Sequence, residues 1–334
     1  MAKKKIVLDS QPLSFYRPER DGVTNSLLVK FRNCRVAARL YLEGWVPKQE
    51  GLASTFGSFT HRLFQLVAER QQSGKLTDVP STGLVQRLIT QVADEWRKDR
   101  PRAGKEETEW LELTVLLGTA LLPLYFAYWK KDTTFQWKGV EHTFKEPFVY
   151  TSHRTGTTFQ TFIRGKMDGV LQKMASTILF ETKTKSRISP GTTADILSFN
   201  LQVRIYLQAL ILQKQKPSGV LYNIVRRPGL QQKQKETVAQ FATRIVTDIQ
   251  KRPEFYFIRL RLSVTPRDLD QGRMALEELV TDFLAWWAGD TGHYQNDDYC
   301  ENKYGTCPYL PVCANRDYSR LYKRKTVFTE LEER

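Results

Sequence analysis

The fold is decided by residues 165–183, which read GKMDGVLQKMASTILFETK. Two runs rich in strand-forming residues stand on either side of turn signals at Lys173–Ser176, and this pattern predicts a β-hairpin. A four-residue turn at that place pairs Gln172 with Thr177. This pairing then fixes which residues of the two strands face each other.

The same register brings Asp168 opposite Glu181, with Cβ atoms roughly 5 Å apart. Side chains alternate along a strand, so Glu181 and Lys183 project to the same face. Two carboxylates at that separation repel each other unless a cation or a proton lies between them. Mg²⁺ is the natural occupant, because it prefers oxygen ligands and binds one or two carboxylates together with water and phosphate.

Lys183 has two interpretations beside this acidic pair. It would hold an attacking water or compensate charge on a phosphate, which suits metal-assisted hydrolysis of a phosphodiester. Alternatively, the three residues form a surface charge cluster in which Lys183 merely neutralises Glu181, since short charge motifs often arise by chance. The residues alone leave both interpretations open.

Hydrophobic periodicity along the rest of the chain predicts an α/β protein. A helix is expected from Ser26, with an apolar stripe formed by Leu27, Phe31, Cys34, Ala38 and Tyr41. Further helices are predicted at 57–69, 84–96, 107–129, 193–213, 235–252 and 265–287, and strands at 135–150, 157–180, 219–225 and 255–262. Turns are expected at Pro147 and at 153–156. No repeat or strong linker divides the chain, which favours one elaborated domain.

Composition narrows the function. The 334 residues carry 51 Lys plus Arg against 36 Asp plus Glu, a formal net charge of +15 that favours a polyanionic partner. Hydrophobic residues at 41% and aromatic residues at 12% exclude a disordered polymer. The uncharged stretch 113–129 is short for a membrane span, and a buried helix broken or kinked at Pro123 is expected instead. A basic amphipathic helix for membrane-surface binding is not evident.

The four cysteines, Cys34, Cys300, Cys307 and Cys313, are too few in so long a chain for a disulfide scaffold. Cys34 lies on the apolar stripe of its helix and fits a small buried hydrophobe. The other three crowd together among Gly and Pro residues near the carboxy terminus. Four thiolates can hold either Zn²⁺ or an iron–sulfur cluster, and the spacing alone does not choose between them.

Five motifs in order resemble the PD-(D/E)XK nuclease superfamily, specifically its RecB-like and Cas4-like branch. They are the cysteine-bearing segment 26–44, the histidine motif 57–61, Asp168 with the E-x-K motif 181–183, the Gln-x-x-x-Tyr motif of Gln202 and Tyr206, and the carboxy-terminal cysteines. The chain departs from the family pattern in two places. Arg35 follows Cys34 where a proline is common, and the interval between Cys300 and Cys307 is longer than usual.

The resemblance implies an α/β fold: a RecB-like core with a mixed central sheet flanked by helices, a helical N-terminal insertion and a C-terminal cysteine-cluster region. It places an arm at 1–25, a single nuclease domain at 26–316 and a tail at 317–334. Within that domain, a helical block is expected at 26–134, the catalytic core at 135–235, and the C-terminal helices and cysteine cluster at 236–316.

The resemblance also implies the site. His61, Asp168, Glu181 and the carbonyl of Thr182 would hold one or two Mg²⁺ or Mn²⁺ ions, while Lys183 orients the attacking water. Gln202 and Tyr206, four residues apart on one helix face, would border the metal and contact DNA. The four cysteines would hold a [4Fe–4S] cluster, with Zn²⁺ as the less favoured occupant.

The expected function is a metal-dependent DNA nuclease, an exonuclease on single-stranded or unwound DNA. Recombination, repair or phage DNA processing is the expected setting, in the cytoplasm of a bacterial cell or phage-infected host. The sequence has no G-x-x-x-x-G-K-[ST] motif, so a separate helicase or recombination protein would supply unwinding. The alternatives are a catalytically idle iron–sulfur DNA-binding or assembly protein and an RNA nuclease.

Further charged residues lie near the predicted site. The cations Arg164, Lys166, Lys185 and Arg187 suggest a groove that follows phosphates, although solvated surface charge is the ordinary interpretation of each. Glu141 is a minor candidate for an additional acidic residue.

Overall fold

The computed structural model describes residues 16–48, 51–132, 135–302, 305–324, 326–328 and 331, which form an α/β fold. Its helices are α1 (Pro18–Asp21), α2 (Asn25–Asn33), α3 (Arg35–Leu42), α4 (Leu52–Gln72), α5 (Thr82–Asp99), α6 (Lys105–Tyr128), α7 (Pro190–Ser198), α8 (Leu201–Leu212), α9 (Val238–Lys251), α10 (Pro253–Tyr256), α11 (Pro266–Ala288) and α12 (Leu310–Asn315). Its strands are β1 (Val23–Thr24), β2 (Trp45–Pro47), β3 (Trp137–Thr151), β4 (Thr158–Lys173), β5 (Ser176–Lys185), β6 (Pro217–Arg226), β7 (Phe257–Ser263), β8 (Glu301–Asn302), β9 (Gly305–Thr306) and β10 (Leu321–Lys323).

The described residues fall into two compact units. The first, here called the sheet unit, comprises residues 49–143 and 166–269, and the second, the cysteine unit, comprises 1–48, 144–165 and 270–334. The single domain predicted over 26–316, with an arm at 1–25 and a tail at 317–334, stays a prediction. Residues 1–15 of that arm lie outside the described residues.

A mixed sheet organises the sheet unit. Strands β4, β5, β6 and β7 are neighbours in that order, with β3 paired to β4. The β4–β5 and β6–β7 pairs are antiparallel, whereas β5 and β6 are parallel. The mixed central sheet expected from the sequence is therefore present.

The hairpin register predicted from the sequence is confirmed. Gln172 pairs with Thr177, and the ladder continues to Gly169 opposite Phe180. The turn is tighter than the expected four residues, because Lys173 still pairs with Ser176. Only Met174 and Ala175 are left to reverse the chain, and Met174 takes a left-handed conformation with φ of 52°.

Helices α4, α5, α6 and α9 pack together in the sheet unit around a core of aliphatic and aromatic side chains. Among the described helices, α6 is the one long and apolar enough to cross a membrane by length and composition, and half of its most apolar window is buried. A break or a kink was predicted at Pro123, and the break is wrong, since α6 is continuous through this residue. Burial of Leu121, Leu122 and Tyr125 around the proline offsets the lost backbone hydrogen bond.

Three other boundaries differ from the sequence prediction. The helix expected from Ser26 is divided at Cys34, whose φ of −160° and ψ of 117° are extended, into α2 and α3. The helix expected over 193–213 is divided into α7 and α8, because Asn200 caps α8 with its side chain. The turn expected at Pro147 is absent, since β3 runs through it. In the described sheet β3 pairs only with β4, and edge strands tolerate proline.

The cysteine unit is built on aromatic packing. Tyr16 contacts Trp287 edge to face at 4.9 Å, and Phe31 contacts Phe283 in the same way at 5.4 Å. Gly22 has a φ of 73°, and a Cβ atom there would lie 2.5 Å from the Phe162 carbonyl oxygen. Only glycine fits this approach of two backbones.

Candidate active site

The predicted acidic pair and lysine meet in the sheet unit at the end of the β4–β5 ladder. Asp168 Oδ2 accepts a 2.6 Å hydrogen bond from the backbone N–H of Thr182 and lies 3.4 Å from His61 Nδ1. Lys183 Nζ lies 3.3 Å from Glu181 Oε2. The surface-cluster interpretation fits poorly, because the Glu181 side chain is completely buried.

Glu181 carries the strongest electrostatic signal of the site. Burial, followed by the negative charge of Asp168, raises the pKa of Glu181 to about 8, although Lys183 opposes this. Its Oε1 atom is buried and has no hydrogen-bond partner among the described residues. A buried carboxylate oxygen without a partner is costly, so Glu181 is suited to a cation that would use this free oxygen.

Asp168 and Lys183 keep their charges beside it. Burial raises the pKa of Asp168, but His61, Lys183 and the Thr182 N–H outweigh that effect and the pKa is lowered overall. Burial lowers the pKa of Lys183, but the negative charges of Glu181 and Asp168 outweigh it and raise the pKa. The site thus combines an anionic aspartate, a cationic lysine and a glutamate whose ionised form would be favoured by a further positive charge.

The donor set fits Mg²⁺ or Mn²⁺: two carboxylates, one imidazole and the strand carbonyl of Thr182. No three His, Cys, Asp or Glu side chains within the described ranges already stand together as the ligands of one metal ion. Mg²⁺ usually keeps several bound waters and takes few ligands from the protein, so a site without a complete set of side-chain ligands is compatible with it.

Gln202 and Tyr206 reach the same place from α8. Gln202 Nε2 lies 3.3 Å from Glu181 Oε2 and 3.0 Å from the Tyr206 hydroxyl. The Tyr206 hydroxyl in turn donates a 2.9 Å hydrogen bond to the carbonyl oxygen of Lys166. Helix α8 therefore connects Glu181 to the backbone of β4, as residues four apart on one helix face can do.

Two residues join the site that the sequence analysis missed or ranked low. Tyr222 pairs with Glu181 across β5 and β6, so the two side chains share one face, and the ring is buried. Nothing in the apolar run around Tyr222 marks it in the sequence. Glu141, ranked low, forms a 2.6 Å ion pair with Lys166 and has a positive φ of 47°.

A pocket of about 40 Å³ opens beside His61, Glu141, Asp168 and Thr182. Its apolar walls include Phe64, Phe126, Phe135, Trp137 and Phe180. The Trp137 indole lies over Gly169, where an added Cβ atom would be 2.4 Å from the ring, and its N–H donates to Gln71. The acidic centre therefore has an aromatic wall on one side.

The other predicted basic residues are placed differently. Arg164 belongs to the cysteine unit, where it donates to the Asp21 carbonyl and lies over the Phe328 ring. The groove predicted from these cations stays a prediction. Lys185 ends β5 half-buried, and Arg187 is exposed in the following loop.

The four cysteines all line one cavity of about 220 Å³ in the cysteine unit, and none forms a disulfide. The backbone N–H of Leu310 donates a 3.0 Å hydrogen bond to the Cys307 carbonyl oxygen. Burial raises the pKa of the Cys300, Cys307 and Cys313 thiols. The cysteines share this cavity, but within the described residues no three of their side chains already stand together as the ligands of one metal ion.

The fold is therefore α/β, with a mixed sheet that carries acidic residues and a lysine on adjacent strands. The family model of the PD-(D/E)XK nuclease superfamily matches residues 23–314 of the chain. The chain therefore belongs to the PD-(D/E)XK nuclease superfamily.

Among solved structures, the chain is similar to a candidate exonuclease from Eubacterium rectale. The identity is 12%, the alignment covers 87% of this chain and 92% of that chain, and the TM-score is 0.46. It is also similar to the protein SSO0001 at 13% identity, over 66% of this chain and 86% of that chain, with a TM-score of 0.26. No curated protein matches the sequence.

Proposed function

We propose that the chain is a metal-dependent DNA nuclease of the RecB-like branch, acting as an exonuclease on single-stranded or unwound DNA. The observation that carries this proposal is the buried, unpartnered Oε1 of Glu181 beside Asp168 and Lys183. In a buried ion pair with a purely structural role, both carboxylate oxygens are expected to have partners. A cation-binding site instead leaves one oxygen without a partner until the cation binds. The net charge of +15 supports a nucleic acid as the substrate.

His61, Asp168, Glu181 and the Thr182 carbonyl are the residues that would hold Mg²⁺ or Mn²⁺. When bound, the metal supplies Lewis-acid polarisation of the phosphodiester and a more acidic water. The Thr182 N–H and His61 both contact Oδ2 of Asp168 and fix the orientation of this carboxylate, which lines the pocket.

Lys183 is the proposed electrostatic catalyst. Its ammonium is held by Glu181 and stays protonated, so it stabilises negative charge that develops on the phosphate and orients the attacking water. Gln202 positions Glu181, and Tyr206 supports Gln202 through the hydrogen bond between the two side chains. Both residues thus act on the reacting groups through Glu181.

The cysteine cavity is the proposed site of a [4Fe–4S] cluster, held by Cys34, Cys300, Cys307 and Cys313. The support for this assignment is that all four cysteines line one cavity, since four thiolates are the usual ligands of such a cluster. Cys34 is the extended residue that separates α2 from α3. Zn²⁺ is the alternative occupant, and iron analysis with an absorption spectrum distinguishes the two.

Recombination, repair or phage DNA processing in the cytoplasm of a bacterial or phage-infected cell is the proposed setting. A separate helicase or recombination protein is the proposed partner for duplex substrates, because the sequence contains no phosphate-binding loop of its own. A single strand would then be delivered to the site.

Digestion of end-labelled substrates by anaerobically prepared protein tests the proposal. With Mn²⁺ present, the protein should degrade single-stranded DNA faster than matched duplex DNA or RNA. Glu181→Gln should abolish cleavage, while Glu112→Gln, an exposed change on α6, serves as the matched control. DNA binding without cleavage by the wild type would favour the idle DNA-binding alternative, and faster RNA digestion would favour the RNA nuclease.

A further inference from the structure

Lysines and acidic residues alternate on one face of the β4–β5 hairpin. Lys166 and Asp168 lie two residues apart on β4, and Glu181 and Lys183 lie two apart on β5. Asp168 and Glu181 directly follow the last pair of the ladder, Gly169 opposite Phe180, and Lys166 and Lys183 lie two residues further along the two strands. The acidic centre is thus bordered by two ammonium groups, only one of which belongs to the E-x-K motif.

Each ammonium has a glutamate of its own. Lys183 pairs with Glu181 at 3.3 Å, and Lys166 pairs with Glu141 of β3 at 2.6 Å. The two pairs therefore hold one ammonium on each strand of the hairpin beside the acidic centre.

The ion pair between Lys166 and Glu141 depends on an unfavourable backbone conformation of Glu141. Glu141 has a φ of 47°, a conformation that glutamate rarely adopts. The Tyr206 hydroxyl donates a hydrogen bond to the backbone carbonyl of Lys166. The free-energy cost of such backbone strain exceeds the stabilisation that a partly exposed ion pair provides. Strain of this kind is concentrated at functional sites. A purely structural Glu141–Lys166 pair does not account for it.

Exposure distinguishes the two lysines. The Lys183 side chain is 28% exposed next to a fully buried glutamate, whereas the Lys166 side chain is 41% exposed. Lys183 is therefore placed for the reacting phosphate, and Lys166 stands further toward solvent.

We propose that Lys166 binds the phosphate next to the scissile one, with Glu141 as the positioning residue for its ammonium. The inference rests on the proposed nuclease function and adds a specificity rule to it. Efficient cleavage requires a charged phosphate beside the cut, so the enzyme favours polymers over a lone phosphodiester. Charge-assisted contacts to phosphate of this kind set the register of a strand.

Methylphosphonate interference tests the proposal. A set of single-stranded oligonucleotides carries one uncharged methylphosphonate at each phosphate in turn, and cleavage at every bond is measured with Mn²⁺. For the wild type, replacement of one phosphate flanking the cut should lower kcat/KM about tenfold, the loss expected for one charged hydrogen bond.

Four variants distinguish the role of Lys166 from a general effect of charge. In Lys166→Gln the flanking interference should fall below twofold, while interference at the scissile phosphate remains. Glu141→Gln should weaken the same flanking interference, and the double variant should be no worse than Lys166→Gln alone. Lys173→Gln removes the same charge from an exposed position of β4 and should leave the pattern unchanged.

The two proposals fail separately. Absence of cleavage by the wild type would overturn the nuclease proposal itself. Normal cleavage with the same flanking interference in wild type and Lys166→Gln would overturn the role of Lys166 alone. An additive loss in the double variant would show that Glu141 does not act through Lys166.

Discussion

The backbone N–H of Thr182 donates its hydrogen bond to the Asp168 carboxylate instead of to a strand carbonyl, just beyond the last β4–β5 pair, Gly169 opposite Phe180. The Asp168 carboxylate thus accepts the hydrogen bond that a backbone carbonyl of the neighbouring strand would otherwise accept. The N–H and C=O of one strand residue point to the same side, so the Thr182 carbonyl also faces this side of β5. A local departure from regular pairing brings a carboxylate and a carbonyl toward one point.

Asp168→Asn should separate the structural from the catalytic role of this contact. An asparagine oxygen still accepts the Thr182 N–H, so we expect the free energy of unfolding to change by less than about 1 kcal/mol. The missing charge should lower kcat for DNA cleavage by about 100-fold or more, the usual cost of losing one preorganised electrostatic contact. Urea unfolding and cleavage rates measured on the same preparations check both numbers. A well-folded variant with wild-type kcat would contradict the assignment of Asp168.

Gly169→Ala tests the aromatic wall. The added methyl group would lie 2.4 Å from the Trp137 ring, so the indole must shift. We expect a loss of about 1–3 kcal/mol in the free energy of unfolding, the usual effect of overpacking. Gly191→Ala in the first turn of α7, where a Cβ atom meets nothing within 4 Å, is the control and should not destabilise. Equal effects of the two changes would show that Trp137 does not pack tightly on β4.

The ionisation of Glu181 predicts a pH dependence of stability in metal-free protein. The pKa is raised to about 8 in the folded state, mainly by burial. Between the unfolded pKa of about 4.3 and that value, the folded state retains a proton that the unfolded state has lost. The free energy of unfolding should therefore fall as pH rises through this window, by on the order of 1 kcal/mol per pH unit.

Glu181→Gln supplies the control for this prediction, because glutamine does not titrate. Chemical unfolding of both proteins at pH 5, 6, 7 and 8 should give a difference that shrinks or reverses with rising pH. Mn²⁺ at saturating concentration should flatten the wild-type curve, since a bound cation favours the ionised carboxylate. A pH-independent difference between the two proteins would contradict a buried, protonated Glu181.

Removal of one cysteine tests the proposed metal-binding role of the cysteine cavity. Cys307→Ser removes one of the four thiols that line the cavity, and it should abolish bound iron and its visible absorption. The free energy of unfolding should fall by several kcal/mol, since metal binding in such sites contributes to folding. A chelator should destabilise the wild type and leave Cys307→Ser unaffected. Full iron content in the variant would exclude the four-cysteine assignment, and bound zinc in the wild type would support Zn²⁺ instead.

The sequence predicted the parts of this molecule that depend on local pattern. The hairpin register follows from one short turn, so Asp168 and Glu181 could be placed side by side before any coordinates. The break at Cys34 could not be foreseen, because the apolar stripe continues on both sides of it and all its members are buried. The continuity of α6 through Pro123 is a matter of tertiary packing, which overrides local propensity.

The same limit applies within the site. Tyr222 reaches Glu181 only through the parallel pairing of β5 with β6, and a parallel register is not set by a turn. Glu141 meets Lys166 because its backbone takes an unusual φ, which no composition rule indicates. Tyr222 therefore escaped the sequence analysis and Glu141 was ranked low, whereas the residues linked by the hairpin could be placed together.

Titration of Mn²⁺ into the metal-free wild type and into Glu181→Gln, followed by cleavage assays on the same samples, tests the central claim most directly. The account predicts that the wild type binds Mn²⁺ and then cuts single-stranded DNA, while Glu181→Gln remains folded and binds DNA but neither takes up the metal with comparable affinity nor cuts. Equal Mn²⁺ affinity and equal cleavage by the two proteins would contradict it.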